Sequence, residues 1–188
     1  SFAIDFALGR SAGGMHVENL ALHAGNAMLL FAVVRALLRA PNLRGVVREG
    51  SAVWCAALAA SLWAVHPLHV DAVAYLTQRS MLFEGFFVLA AFAALLRSHG
   101  ACARTWQAVT VACTALALAS KEEAAALPLL LVLAQRAFCL PTWRLVAARW
   151  RFHLALAATW SVLIACVALG PRNPTVGYAT NPPVSAFE

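Results

Sequence analysis

The sequence predicts an all-α protein that crosses a membrane about six times. Three observations predict this class: a composition poor in charge, a succession of apolar segments, and arginines concentrated in alternate connections. The chain has 188 residues, of which 62% are apolar and 12% are charged, whereas a soluble domain carries about 25% charged residues. This composition excludes a disordered chain, a collagen, a disulfide scaffold and an ordinary water-soluble enzyme.

Six apolar segments are separated by short connections. Because the hydrocarbon core of a bilayer is about 30 Å thick, a helix needs about 20 residues to cross it. The first and last segments reach this length and the four between them are shorter, so the prediction depends on all six together. We expect short re-entrant or amphipathic helices in the lumenal connections. The segments are Val17–Leu38, Ser51–Val65, Leu82–Leu96, Thr105–Ala119, Ala124–Leu140 and Phe152–Gly170.

The basic residues are distributed unevenly between these connections. Ten of the 14 Lys and Arg residues lie near the ends of the first, third and fifth segments or in the connections that follow them. Cytoplasmic loops are enriched in Lys and Arg, so this side is predicted to be cytoplasmic and the other side lumenal or periplasmic. A nucleic-acid-binding protein would gather its cations on one face among aromatic side chains. That pattern is absent, so no nucleic acid is expected as a partner.

Residues typical of common catalytic and metal sites are not arranged in their usual motifs. The five Cys are scattered and form no CxxC pair, so we interpret them as small buried hydrophobic residues. His66, His69 and Asp71 carry metal-binding groups, but Pro67 disturbs their spacing and no fourth ligand is obvious, so no metal is expected. The motifs of serine hydrolases, dinucleotide-binding folds, P-loops and zincins are also missing.

The most informative polar stretch is AVHPLHVDAVAYLTQR, residues 64–79. Pro67 should end the preceding helix, and a new helix is predicted to begin near Leu68. The i, i+4, i+7 and i+8 spacing predicts a short interfacial helix with one polar face towards the lumen. That face is either solvated surface or part of a site that includes His66 and His69. The residues predicted to share the face are Asp71, Tyr75, Gln78 and Arg79.

A second polar stretch, ALASKEEAAALP, contains Lys121, the only Lys of the chain. One interpretation is a membrane-interface anchor, with Glu122 and Glu123 as acids favoured at a helix start. The other is that Lys121 points at an anionic substrate group and Glu122 orients it.

A third stretch places polar residues on one face of the first apolar segment. His16, Asn19, His23 and Asn26 follow i, i+3, i+7 and i+10 spacing, and such stripes usually form hydrogen bonds between membrane helices. The first two also lie near the lumenal end, where they could reach the same site as Arg79. Glu84 lies in the first turn of the third segment, so we expect it to face the bundle and pair with Arg79.

These stretches, followed by NPPV, resemble the transmembrane and tetratricopeptide-repeat protein O-mannosyltransferases, which belong to the GT-C superfamily of membrane glycosyltransferases. The family pattern runs H-x-x-N-x-x-x-H, then HP-x-H-x-E-A-V with a downstream Arg, then K-E. Asp71 stands where Glu is usual, and Gln78 and Met81 replace a usual Gly and a common acid. The matching residues are His16, Asn19, His23, His66, Pro67, His69, Ala72, Val73, Arg79, Lys121 and Glu122.

The resemblance implies a GT-C-like helical bundle and a chain that is a piece of a longer protein. Residues 1–170 would be part of the transmembrane region, lacking its first helix and first lumenal loop, and residues 171–188 would begin another lumenal loop. The acidic residue that the family uses for catalysis would precede Ser1, so the catalytic residue is unknown here and the piece is expected to be inactive alone. The tetratricopeptide repeats would also lie outside it.

The activity implied by the resemblance is transfer of mannose from dolichyl phosphate mannose to Ser or Thr hydroxyls of lumenal proteins. The membrane would be that of the endoplasmic reticulum, or the inner membrane in a bacterium, and no resident cofactor is expected. The alternative is a non-catalytic multi-pass module: a pseudoenzyme, or a transporter or assembly subunit. Donor phosphate and sugar would be held by Arg79, Lys121, His66, His69, Asp71 and Glu122, with His16, Asn19, Tyr75 and Glu84 in support.

Overall fold

The computed structural model describes residues 12–75 and 78–169, and within these ranges the regular structure is helical, with no strand. Short 3₁₀ turns at Pro41–Leu43, Pro67–His69 and Glu122–Ala126 and a π-helical turn at Gln135–Cys139 connect or extend the α-helices. The domain boundary predicted at residue 170 and the loop predicted for 171–188 lie outside the described residues. The α-helices are α1 (Ala12–Leu38), α2 (Glu49–Ala64), α3 (Val70–Ala74), α4 (Arg79–Arg97), α5 (Ala103–Ser120), α6 (Leu127–Ala134), α7 (Trp143–Ala147), α8 (Trp150–Ala158) and α9 (Trp160–Leu169).

Prolines determine where α1 and α2 give way to connections. A proline offers no N–H and disfavours a helical conformation at the residue before it. Accordingly, Ala40 before Pro41 is extended, with ψ 154°, and His66 before Pro67 has ψ 130°. The prediction that Pro67 ends the preceding helix is therefore confirmed.

The centre of the bundle is α4, which packs against α5 on one side and α1 on the other. Small residues allow the α4–α5 approach, because Ala91 and Ala117 are fully buried beside Leu95 and Leu118. Small side chains at helix interfaces are typical of membrane bundles, where close backbone packing replaces the hydrophobic driving force. The helices α6 and α8 add Leu131 and other apolar residues to the same core.

The outer surface of the bundle is apolar. Trp54 is 77% exposed, and Leu58 and Leu62 of the same helix are also exposed. Only 17% of the most apolar stretch of α1 is buried within the bundle. Soluble monomers rarely expose contiguous apolar surface of this extent, so the surface favours contact with lipid and a polytopic membrane protein.

Three helices are long and apolar enough to cross a membrane within the described residues: Gly13–Leu38, Arg79–Arg97 and Trp150–Leu169. A fourth crossing is possible if Gly50–Ala64 and Pro67–Ala74, which meet at 52°, act as one broken span. The six predicted segments are all largely helical, but the helices at Thr105–Ala119 and Ala124–Leu140 are not long and apolar enough to count as membrane spans. Polar residues interrupt the first of these, and short 3₁₀ and π turns divide the second.

The predicted interfacial helix is wrong in its extent. Helix α3 has only five residues, because Tyr75 adopts an extended conformation with ψ 118° and ends it. Arg79 instead begins α4 and is 3% exposed, whereas Asp71 is exposed. Asp71, Tyr75, Gln78 and Arg79 therefore do not share one helical face, because packing of Arg79 against α1 replaces the continuous helix that the spacing predicted.

Candidate functional site

The packing of the helices brings the polar stretches to one end of the bundle. Arg79 at the start of α4 contacts the first turns of α1, and Ala64 at the end of α2 contacts His23. Since a five-residue connection reverses the chain between α4 and α5, Lys121 after α5 lies at the same end as Arg79. We call this the polar end; it comprises the sequence-predicted site residues from α1, α2–α3, the start of α4 and Lys121.

Arg79 is held on three sides by the first turns of α1. Its Nε donates to Oδ1 of Asn19 over 3.0 Å, and its Nη2 donates to the Met15 carbonyl over 3.3 Å. Its Nη1 lies 3.4 Å from the Glu18 carboxylate. The predicted partner, Glu84, makes no ion pair with Arg79, because Glu18 occupies that position. Sequence reasoning missed Glu18, although its place beside Asn19 in the α1 stripe was a usable signal.

Glu84 belongs to a different charged group at this end. It is half-buried, and its charged neighbours are Lys121 and Glu123 rather than Arg79. Since Glu84 lies on α4 and the other two follow α5, this group spans the junction between those helices.

Lys121 pairs with Glu123 instead of the expected Glu122. Its Nζ lies 2.8 Å from Oε1 of Glu123, and the Lys121 side chain is 22% exposed. Lys121 has an extended backbone, with φ −160°, and directly precedes the Glu122–Ala126 turn. That geometry pairs Lys121 with the second residue of the turn, while Glu122 is exposed and makes no ion pair among the described residues. The carboxylate paired with Lys121 is therefore that of Glu123 and not that of Glu122.

Three histidines and Trp63 form an aromatic cluster where α1 meets the end of α2. The His23 ring stacks on Trp63 with 5.0 Å between centroids, and Trp63 lies 4.2 Å from His69. His66 lies at the edge of the cluster, where its Nδ1 accepts from the Leu68 N–H over 3.3 Å. Trp63, which the sequence analysis did not select, therefore holds the two imidazoles of His23 and His69 in place.

A groove of about 430 Å³ opens beside this cluster. His16, His66 and His69 contribute polar groups to its wall, and most of the remaining lining is apolar. Its size falls within the range of small-molecule sites, which are typically apolar with a few placed polar groups. The other lining residues are Leu20, His23, Ala64, Val65, Val70, Val73 and Ala74.

The remaining predicted residues are at the surface. Asp71 is exposed, and Tyr75 is 60% exposed. Within residues 12–75 and 78–169, no group of three or more His, Cys, Asp or Glu is placed to hold a metal ion.

The polar stripe on α1 forms the helix–helix hydrogen bonds that its spacing predicted. Asn19 Nδ2 donates to the Val73 carbonyl over 3.3 Å, and Asn26 Nδ2 donates to the Leu82 carbonyl over 3.0 Å. His23 Nε2 donates to the Ala64 carbonyl over 2.9 Å. His16 is the exception: it is exposed and faces the groove.

The fold and this site define a helical membrane protein with a polar cluster and an apolar groove at one end of its bundle. Over 98 residues the chain is 35% identical to Protein O-mannosyl-transferase Tmtc3 of Drosophila melanogaster, which gives partial support to the resemblance found in the sequence. The match covers 46% of this chain and 10% of that protein, so the chain spans only a small part of this relative. No family model and no solved structure matches the chain.

Proposed function

We propose that the chain is part of a membrane glycosyltransferase that moves mannose from dolichyl phosphate mannose to Ser or Thr hydroxyls of lumenal proteins. The endoplasmic reticulum membrane is the proposed location, or the inner membrane in a bacterium. The observation that carries the proposal is the placement of His66, His69 and Lys121 at the end of the bundle that also holds an apolar groove. The identity with an O-mannosyltransferase supports the same activity.

The leaving group of this reaction is a lipid phosphate, so its departure requires positive charge and hydrogen-bond donors. His16, His66 and His69 present ring nitrogens at the groove wall, and Lys121 adds a cation at the same end. An ammonium group with 22% exposure keeps access to solvent and to a ligand. These four side chains are proposed to hold the donor phosphate.

Arg79 takes a different part in this proposal. Because its guanidinium is 3% exposed and already bonded to Glu18, Asn19 and Met15, direct contact with the donor would require those bonds to break. Its proposed contribution is to position the start of α4 and to add positive charge near the site without contacting the donor. It is therefore a positioning residue.

The groove is suited to the lipid part of the donor. Leu20, Val65, Val70 and Val73 provide an apolar lining of the kind that an isoprenoid chain would contact. The exposed ring of Tyr75 is available to stack on a sugar, and Asp71 is an exposed acceptor for sugar hydroxyls.

Transfer also needs a carboxylate that takes the proton of the acceptor hydroxyl. We assign this role to no described residue. The exposed Glu122 is proposed only as a substrate-binding group.

The test is mass spectrometry of O-linked hexose on secreted proteins, with variants introduced into the chromosomal gene. Lys121→Ala and the double variant His66→Ala/His69→Ala are expected to slow transfer about a hundredfold, the size of the kcat loss when one preorganised oxyanion donor is removed, and so to lower hexose occupancy. The matched control is Arg104→Ala, which removes an exposed cation near the opposite end of α5.

Each variant must be shown to insert into the membrane at normal abundance. Normal hexose occupancy in an inserted Lys121→Ala/His66→Ala/His69→Ala protein would overturn the proposal. If occupancy also stays normal when the gene is deleted, the chain is a non-catalytic multi-pass module, an interpretation to which the buried Arg79–Glu18 contact is equally suited.

A further inference from the structure

The end of the bundle opposite the polar end carries a second pocket, of about 280 Å³, between α1, α4 and the π-helical turn. Arg39, Arg97 and His99 line it, together with Cys139. We call it the arginine pocket. Its apolar lining comes from α1, from the turn that follows α1 and from α4, namely Ala32, Ala36, Ala40, Pro41, Ala93 and Leu96.

Arg149, from the connection between α7 and α8, lies behind the wall of this pocket. Its Nη1 is 3.5 Å from Nε2 of His99, and its Nη2 donates to the Ser98 carbonyl over 3.5 Å. Burial, followed by the nearby Arg149 charge, lowers the pKa of His99 to about 4, so this imidazole is neutral at pH 7. Burial also lowers the pKa of Arg149 from its ordinary value.

Two of the cations at this pocket, Arg97 and Arg149, contact neutral groups. Arg97 stacks on the Trp106 ring with 5.2 Å to the centroid, and Arg149 contacts only neutral groups. Neither makes an ion pair with a carboxylate in the part of the chain that the structure describes. Arg149 is half-buried, and a half-buried cation without counter-charge is unfavourable, so an anion bound nearby would offset that cost.

We propose that the arginine pocket binds the phosphate group of an anionic lipid from the cytoplasmic leaflet. Guanidinium groups bind phosphate oxygens in pairs and are only weakly hydrated, so they suit a site at a membrane boundary. The alanines of α1 and α4 and Leu96 provide apolar surface next to the cations, where acyl chains would lie. The pocket is smaller than most small-molecule sites, which fits a headgroup rather than a whole ligand.

The predicted topology supports this choice of ligand. The arginine-rich connections are assigned to the cytoplasmic side by the distribution of charge. Anionic lipids are concentrated in that leaflet, and basic pockets between helices on that side bind their headgroups. The inference is independent of the proposed mannosyl transfer, because the two sites lie at opposite ends of the bundle.

Native mass spectrometry of the full chain in detergent tests the proposal, after incubation with phosphatidylglycerol or phosphatidylcholine. Both lipids carry a phosphate, but only phosphatidylglycerol has a net negative charge. We expect preferential retention of phosphatidylglycerol, and about a fivefold loss of that retention in each of Arg97→Gln and Arg149→Gln. Arg104→Gln removes an exposed arginine that does not line the pocket, and it should retain the lipid normally.

Equal retention of the two lipids would overturn the proposal, as would an equal loss in Arg104→Gln. Inorganic phosphate is added as a competitor in a separate arm. If inorganic phosphate protects the chain against thermal unfolding as well as phosphatidylglycerol does, the pocket takes a soluble anion and the lipid assignment is wrong. If Arg149→Gln fails to fold, the retention of phosphatidylglycerol by Arg97→Gln is the test of the proposal. Arg97 is exposed at the end of α4, so its replacement should not disturb folding.

Discussion

The Nε of Arg79 and the Oδ1 of Asn19 are joined by a 3.0 Å hydrogen bond, and Asn19 donates in turn to the Val73 carbonyl. Asn19 is fully buried, so it has no access to water as a substitute partner. One side chain of α1 thereby fixes both α3 and the start of α4. The position of the polar end depends on this contact.

Replacing Arg79 should therefore destabilise the bundle. Arg79→Ala leaves the buried Asn19 oxygen without a donor, and the expected loss is about 1–3 kcal/mol in the free energy of unfolding. Denaturant unfolding in detergent measures this loss. The matched Arg104→Ala removes an exposed arginine and should change stability by less than about 0.5 kcal/mol. Equal stability of the two variants would show that Arg79 does not brace α4.

Asn42 should stabilise the π-helical turn at Gln135–Cys139. Its amide Nδ2 lies within hydrogen-bonding distance of the carbonyls of Arg136, Ala137 and Leu140, at 3.2, 3.1 and 3.3 Å. Asn42→Asp keeps the shape but has no N–H to donate, so we expect a loss of about 1–2 kcal/mol in the free energy of unfolding. Asn42→Gln, which keeps the amide, should lose less. If Asp is tolerated better than Gln, the contact is not a hydrogen bond.

Gly85 and Gly25 provide a matched pair for testing the α1–α4 contact. A Cβ on Gly85 would lie 3.4 Å from Nδ2 of Asn26, whereas a Cβ on Gly25 would meet nothing within 4 Å. Gly85→Leu should overpack the interface and lower the free energy of unfolding by about 1–3 kcal/mol. Gly25→Leu should be neutral or stabilising, because it replaces a helical glycine. Similar losses at both positions would contradict the packing described.

His99 should make the stability of the bundle sensitive to acid. Its pKa is about 4 in the folded protein against an ordinary 6.5, because of burial first and then Arg149. Between these values the unfolded chain binds more protons, so the free energy of unfolding should fall as the pH drops from 6.5 to 4. Above pH 6.5 this group should have little effect.

The melting temperature in detergent at several pH values measures this dependence. The other charged or titratable groups around His99 are Arg39, Arg97, Arg149 and the Cys139 thiol. His99→Gln should reduce the slope between pH 6.5 and 4. A slope that persists unchanged in this variant would assign the acid sensitivity to other groups.

The placement of the polar end can be tested by labelling single cysteines with a membrane-impermeant reagent, in a background with the five native Cys replaced. Leu68→Cys and Glu122→Cys are at exposed positions of the polar end and should react from the same side. Gly100→Cys, in the α4–α5 connection, should react from the other side. Labelling of positions 68 and 122 from opposite sides would contradict the arrangement.

The sequence predicted the positions of the helices better than the side-chain contacts between them. The break at Pro67 and the bonds of Asn19, His23 and Asn26 followed from backbone chemistry and from helical periodicity. The end of α3 at Tyr75 did not, because the burial of Arg79 against α1 is a tertiary effect that spacing within one stretch cannot reveal. The number of crossings also remains a prediction beyond the three or four that length and hydropathy support.

Pairings between distant residues explain what the sequence did not reveal at the candidate site. The sequence predicted Glu84 as the partner of Arg79, but the packing of α1 on α4 brings Glu18 there instead. The choice of Glu123 over Glu122 depended on the extended backbone of Lys121. Asn42 contacts the π-helical turn although nearly a hundred residues separate them in sequence. No local sequence pattern predicts such a contact.

The α1 hydrogen bonds end on the main-chain oxygens of Ala64, Val73 and Leu82. Every amino acid carries such an oxygen, so mutations at positions 64, 73 and 82 leave these acceptors in place. The donors, in contrast, depend on side-chain identity on α1. Diverging relatives can therefore change the side chains at the three acceptor positions, as far as the packing around the buried Leu82 allows, and keep the same helix register, provided that the polar side chains of α1 persist.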